Sequence, residues 1–94
     1  MVFEVHHIEG FDIDKRMFSR DVKIDVDENG YAGRFLYEGA TVQSHEHPTV
    51  QDVIADIIRR LHKKGFTDLR TRINFREDRY LAEREPWIDY PNAA

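Results

Sequence analysis

From Asp21 to Asp27 the chain alternates strictly, with Val22, Ile24 and Val26 apolar and Asp21, Lys23, Asp25 and Asp27 charged. This is the period-2 pattern of a strand with one buried face. Asn29-Gly30 follows, a pair suited to a type I′ turn because both central residues need positive φ. Tyr31 to Glu38 then returns as the partner strand, so a hairpin is predicted. Residues 2–8 also have strand composition, whereas Gly10 to Ser19 fits no single period. Gly39 marks a bulge or bend, and Thr41 to Ser44 either extends the hairpin or opens a short new strand.

The period then changes. Val50, Val53, Ile54, Ile57, Ile58 and Leu61 recur at i, i+3, i+4, i+7, i+8 and i+11. On a helix of 3.6 residues per turn these positions form one continuous apolar stripe. Thr49 is suited to the N-cap, with Asp52 three residues on. Asp52 and Asp56 lie toward the start and Arg59, Arg60, Lys63 and Lys64 toward the end, matching the helix dipole. Gly65 offers a left-handed stop, with Phe66 free to pack back on Leu61. The signals together predict a helix over residues 50–64, with His62 on its solvent side.

Beyond the helix, Leu69, Thr71, Ile73 and Phe75 alternate with Arg70, Arg72, Asn74 and Arg76, a second half-buried strand. Residues 77–85 are rich in helix formers and predict one or two turns before Pro86. The closing Pro86-Trp87-Ile88-Asp89-Tyr90-Pro91 reads as an irregular aromatic tail, packed on the sheet or on a partner. The fold class expected for residues 1–94 is one α+β domain: a mainly antiparallel sheet of three to five strands, order β-β-β-(β)-α-β, with the helix across one face. Val22, Ile24, Val26, Phe35, Tyr37, Leu69, Ile73 and Phe75 are assigned to the face beneath the helix. Lys23, Asp25, Asp27, Arg34, Glu38, Arg70, Arg72 and Arg76 are assigned to the other.

Composition narrows the function classes. With no cysteine, thiolate zinc sites, disulfide frameworks and thiol nucleophiles are excluded. No apolar run approaches the ~20 residues of a spanning helix, and the first residues lack the basic-then-apolar pattern of a secretory signal. A cytoplasmic protein without membrane association is expected. The net charge of −4 is unevenly spread: residues 59–76 hold seven basic side chains against one acidic, with acidic segments on either side. That contrast keeps an anionic partner in consideration.

Three sets of residues are candidates for chemistry. Arg70, Arg72 and Arg76 on one face of a strand suit phosphate, which guanidinium groups bind bidentately; the alternative is cross-strand pairing with Asp25, Asp27 and Glu38. His45 and His47 form a His-x-His pair of the kind found at metal sites, with His6 or His7 as a candidate third ligand. Two imidazoles leave a coordination shell incomplete, no sequence rule brings His6 or His7 to them, and the pair also reads as the loop entering the helix. Trp87 and Tyr90 are aromatic residues of the kind that anchor interfaces. No spacing singles out a general acid–base pair, a serine nucleophile elbow or a phosphate loop, so neither catalytic residues nor a cofactor is assigned.

The run Gly39-Ala-Thr-Val-Gln-Ser leading to Pro48-Thr-Val-Gln-Asp-Val is loosely similar to HicB-type antitoxin domains. That family's Pro- and Gly-containing motif before the helix is missing, and no function is transferred from the likeness. The expectation is a non-enzymatic protein-interaction module that self-associates through an exposed strand or the aromatic tail. The competing expectation is binding of nucleic acid or a phosphorylated ligand through Arg70, Arg72 and Arg76.

Overall fold

A computed structural model describes residues 2–92. The chain runs β1 (Val2–Phe11), β2 (Met17–Asp27), β3 (Gly30–Tyr37), β4 (Ala40–Gln43), α1 (Val50–Lys63), β5 (Thr67–Arg76), β6 (Arg79–Tyr80) and β7 (Ile88–Asp89). All the strands join one antiparallel sheet in the order β4-β3-β2-β1-β5-β6, with β7 also paired to β5. The class is α+β, but the sheet has seven strands rather than three to five. The extra strands come from the C-terminal segment. Residues 77–85 hold β6 and a single turn closed by Arg84 N–H and Glu85 N–H on the Leu81 carbonyl. A turn at Glu77, where φ is 55°, folds the chain back onto β5 before a helix can start. No helix among the described residues is long and apolar enough to cross a membrane.

The helix forms where its signals agree. Thr49 Oγ1 accepts the Asp52 N–H at 3.1 Å. At the other end, Phe66 N–H bonds the Leu61 carbonyl and Gly65 N–H the His62 carbonyl, with Gly65 at φ 92°. These two bonds define a Schellman stop. Val53, Ile54, Ile57, Ile58 and Leu61 are buried against Ile8, Val22, Ile24, Phe35, Val42 and Leu69 of the sheet. Each such side chain contributes roughly 1.5–3 kcal/mol when fully buried. The helix reaches the sheet at Gly33, where a Cβ would stand 2.8 Å from Val53 Cγ1. Phe18, Tyr37 and Phe66 close one end of the core through edge contacts with centroids 5.2–5.4 Å apart. His62 is half-buried rather than solvent-facing, and its Nε2 is buried without a hydrogen-bond partner among the described residues.

The β2–β3 hairpin turns one residue earlier than the Asn29-Gly30 pattern predicts. Asp27 pairs with Gly30, so Glu28 and Asn29 form the turn, and neither has positive φ. The Asp27 carboxylate takes the Asn29 N–H at 2.7 Å, and Gly30 carries the φ of 125°. His47, which bridges to Tyr31, lies so close that a Cβ on Gly30 would be 2.5 Å from its carbonyl oxygen. The left-handed pair falls at Glu38-Gly39 instead, φ 53° and 78°, joining β3 to β4. The segment without a clear period resolves at Asp12. Its carboxylate is 3% exposed and accepts the N–H groups of Asp14 and Arg16, each at 2.9 Å, together with Arg16 Nε.

Candidate functional site

The three arginines do not form one stripe. β1 and β5 pair Val5 with Phe75 but His6 with Ile73, which leaves Asn74 as a bulge. A one-residue slip moves every following side chain to the opposite face. Phe75, assigned to the core, is therefore 38% exposed on the open face and packs on Tyr80 with ring centroids 5.2 Å apart. Arg76 moves to the helix side, opposite Glu4. Arg70 and Arg72 remain on the open face. The partners also differ from Asp25, Asp27 and Glu38: Arg70 Nε bonds Glu9 at 2.6 Å and Arg76 Nε bonds Glu4 at 3.0 Å. Among the described residues Arg72 has no carboxylate partner and its Nε is buried without a hydrogen bond.

Trp87 explains that arrangement. The guanidinium carbons of Arg70 and Arg72 lie 4.3 and 4.6 Å from its ring centroid, and the His7 ring meets it edge-on at 5.7 Å. Cations over an indole face are attracted by its quadrupole. Tyr90, two strand positions beyond Asp89's neighbour Ile88, lies on the opposite side: its hydroxyl bonds Thr71 Oγ1 at 2.8 Å and its ring packs on the core cluster. Burial raises the Tyr90 hydroxyl above its ordinary pKa, against the lowering effect of the Thr71 bond. The tail thus wraps the β5 edge, one aromatic on each face.

Beside Trp87 stands a relay that the sequence does not announce. Ser19 Oγ lies 2.5 Å from His7 Nε2, and His7 Nδ1 lies 3.0 Å from Asp21 Oδ1. The connectivity is that of an activated serine. The surroundings oppose acyl transfer. Glu9 Oε2 lies 3.8 Å from the same His7 nitrogen, placing negative charge where a developing oxyanion needs donors. Asp21 is 56% exposed, so water is not excluded. Ser19 falls in the segment that fits no single period, and His7 joins it only through the pairing of β1 with β2.

The His-x-His pair is held as loop structure. His47 Nε2 donates to Asp56 at 2.7 Å, and the His45 N–H donates to the same carboxylate oxygen at 2.9 Å. Among the described residues no group of three His, Asp or Glu side chains is placed to hold a metal ion.

Two further features are built by the tertiary structure. One is the pair of sheet edges. The outer edge of β5 is covered by β7 at Arg70 and Thr71 and by β6 at Phe75 and Arg76, with Leu81 N–H bonded to the Asn74 carbonyl and Tyr90 N–H to Leu69. The outer edge of β4 has no covering strand among the described residues. The other is a cavity of about 820 Å³ between the N-terminal half of α1 and the β1–β5 end of the sheet. Its floor carries Glu4, His6 and Arg76. Glu4 is 5% exposed, with Oε1 2.7 Å from His6 Nε2 and Oε2 3.0 Å from Arg76 Nε. Burial pushes the Glu4 carboxyl up, but the bonds from His6 and Arg76 outweigh it and hold it below its ordinary value. Glu4 is not legible in sequence because nothing local marks a charge on a buried face, and His6 lies here with Glu4 rather than beside His45 and His47.

The geometry defines a small α+β protein with an open antiparallel sheet, one covering helix and a single-helix cleft. No family model, curated protein or solved structure matches this chain.

Proposed function

We propose that this chain is a non-enzymatic interaction module that self-associates by pairing the β4 edges of two copies. The observation that carries the reading is the unequal treatment of the two edges. The chain closes the β5 edge with its own tail, whereas Ala40-Thr41-Val42-Gln43 at the other edge is uncharged and free of proline. Protected edges usually carry lysine, proline or a covering element. Ser44 N–H bonds Gly33, so alternation along β4 turns the backbone groups of Val42 toward β3 and those of Thr41 and Gln43 outward. Antiparallel pairing about a two-fold axis at Val42 sets Thr41 opposite Gln43 of the second copy. Each of the two pairs exchanges two N–H···O bonds, as a closed isologous contact requires.

The contact is short, so the association is weak and concentration-dependent. Thr41→Pro removes an outward N–H and leaves the bonds to β3 intact. Light scattering coupled to gel filtration, run up to several hundred micromolar, is expected to give a dimer for the natural chain and a monomer for Thr41→Pro, with equal Tm. A natural chain that stays monomeric throughout, or a Thr41→Pro variant that dimerises equally well, overturns the reading.

A further inference from the structure

We infer that the cleft between α1 and the β1–β5 end of the sheet is a binding site for a small carboxylate with an aromatic or branched apolar body. Its volume of about 820 Å³ falls in the range of small-molecule sites, roughly 300–1,000 Å³. Phe3, Tyr31, Ile54, Ile73 and Tyr90 supply apolar walls. Such a site needs few polar groups, placed where they orient the ligand, and Arg76 meets that requirement. Its Nε is held by Glu4 at 3.0 Å. Among the described residues no carboxylate other than Glu4 pairs with Arg76, and its side chain is 54% exposed at the cleft. A guanidinium fixed through Nε presents its remaining donors as a planar fork, the geometry that grips a carboxylate.

The way the cluster is assembled supports a binding role. Two irregularities are used to make it: the register shift between Val2 and Glu4 in β1, and the Asn74 bulge that turns Arg76 inward. Bulges recur where a strand must re-aim a side chain. A buried ionic cluster is seldom more stable than apolar residues of similar volume, so stability alone gives no reason for charges at the floor of an apolar cleft. The charge balance selects the ligand's sign. Glu4 and Arg76 offset one another, and the start of α1 at Thr49 to Gln51 lines the rim, where the helix dipole is positive. Glu85 also lines the cleft, which disfavours a second negative charge on the ligand.

Phenylacetate and indole-3-acetate are suitable probes, with indole-3-acetamide as the neutral control. Two-dimensional amide NMR is expected to show saturable shifts at Glu4, His6, Ile54, Ile73 and Arg76, with dissociation constants of about 1 mM or tighter. The amide control is expected to bind about tenfold more weakly, and Arg76→Gln to abolish that preference. Ala55→Trp fills the cleft from an exposed helical position and is expected to block every probe; because it leaves the ion cluster in place, it answers the question even if Arg76→Gln fails to fold. Absence of saturable binding, shifts centred elsewhere, equal affinity for acid and amide, or full binding by Ala55→Trp each overturns the inference. The site is remote from β4, so Thr41→Pro is expected to bind the probes normally and the two ideas fail separately.

Discussion

Asp56 shows how much one side chain in this molecule carries. It sits beside the apolar stripe of α1, 1% exposed, and its carboxylate collects the His45 amide, His47 Nε2, Arg60 Nε at 2.7 Å and Arg59 Nη2 at 3.3 Å. It therefore ties the loop entering the helix to the helix itself. Burial raises its pKa, but the bonds from Arg60, His47 and the His45 amide dominate and hold the carboxyl well below its ordinary value of 3.8. The sign of the pH dependence follows. The folded state takes up the proton less readily than the unfolded chain, so the stabilisation is complete above the unfolded pKa and is lost as pH falls toward the folded one. Asp56→Ala is expected to cost about 3 kcal/mol at neutral pH, because it leaves buried donors unpaired. Asp56→Asn is expected to flatten the loss of stability below about pH 4, read by urea titration at several pH values. The dipole pattern holds for Asp52, the acidic residue of the first turn, whereas Asp56 lies mid-helix. Its burial is not legible in sequence, since a position at the margin of the stripe is buried or exposed according to what packs over it.

Among the elements, α1 and β7 behave differently under change. α1 lies against Gly33, where an added Cβ would meet Val53 Cγ1 at 2.8 Å and Ile57 Cδ1 at 3.1 Å. Gly33→Val is expected to destabilise by about 1–3 kcal/mol through overpacking, measured as a lower urea midpoint with unchanged slope. β7 is two residues long and is held mainly by its neighbours, Trp87 over Arg70 and Arg72 and Tyr90 on Thr71. Tyr90→Phe is expected to lose about 1 kcal/mol with the hydroxyl bond. Removing residues 86–94 uncovers the β5 edge at Arg70 and Thr71. Light scattering of that truncated chain is expected to show more association than the full chain, by a route that Thr41→Pro does not block. A truncated chain no more associated than the full one shows that β7 does not guard this edge.

At the scale of the whole molecule, a seven-stranded sheet with one helix has two very different faces. The helix packs on one side, reaching from Gly33 in β3 to the core residue Leu69 in β5, and the cleft lies between its N-terminal half and the β1–β5 end of the sheet. The other face is a lattice of charged pairs, Arg34 with Asp25 and Arg70 with Glu9, together with the Ser19, His7 and Asp21 relay and the Trp87 cover. What was readable without coordinates was whatever rests on contacts between near neighbours in sequence. The cap at Thr49, the stripe from Val53 to Leu61, the stop at Gly65 and the alternation of β2 all express backbone geometry within a few residues, and all appear where the pattern puts them. The place of each strand in the sheet, the burial of Asp56 and the folding of the tail into β7 depend on segments far apart in the chain. Arg76 is the clearest case. Local alternation assigns it to the open face with Arg70 and Arg72, and only the pairing of β5 with β1 creates the Asn74 bulge that carries it across to Glu4. Side-chain period is set within a strand, but register is set between strands, and a slip of one residue there reverses every face that follows.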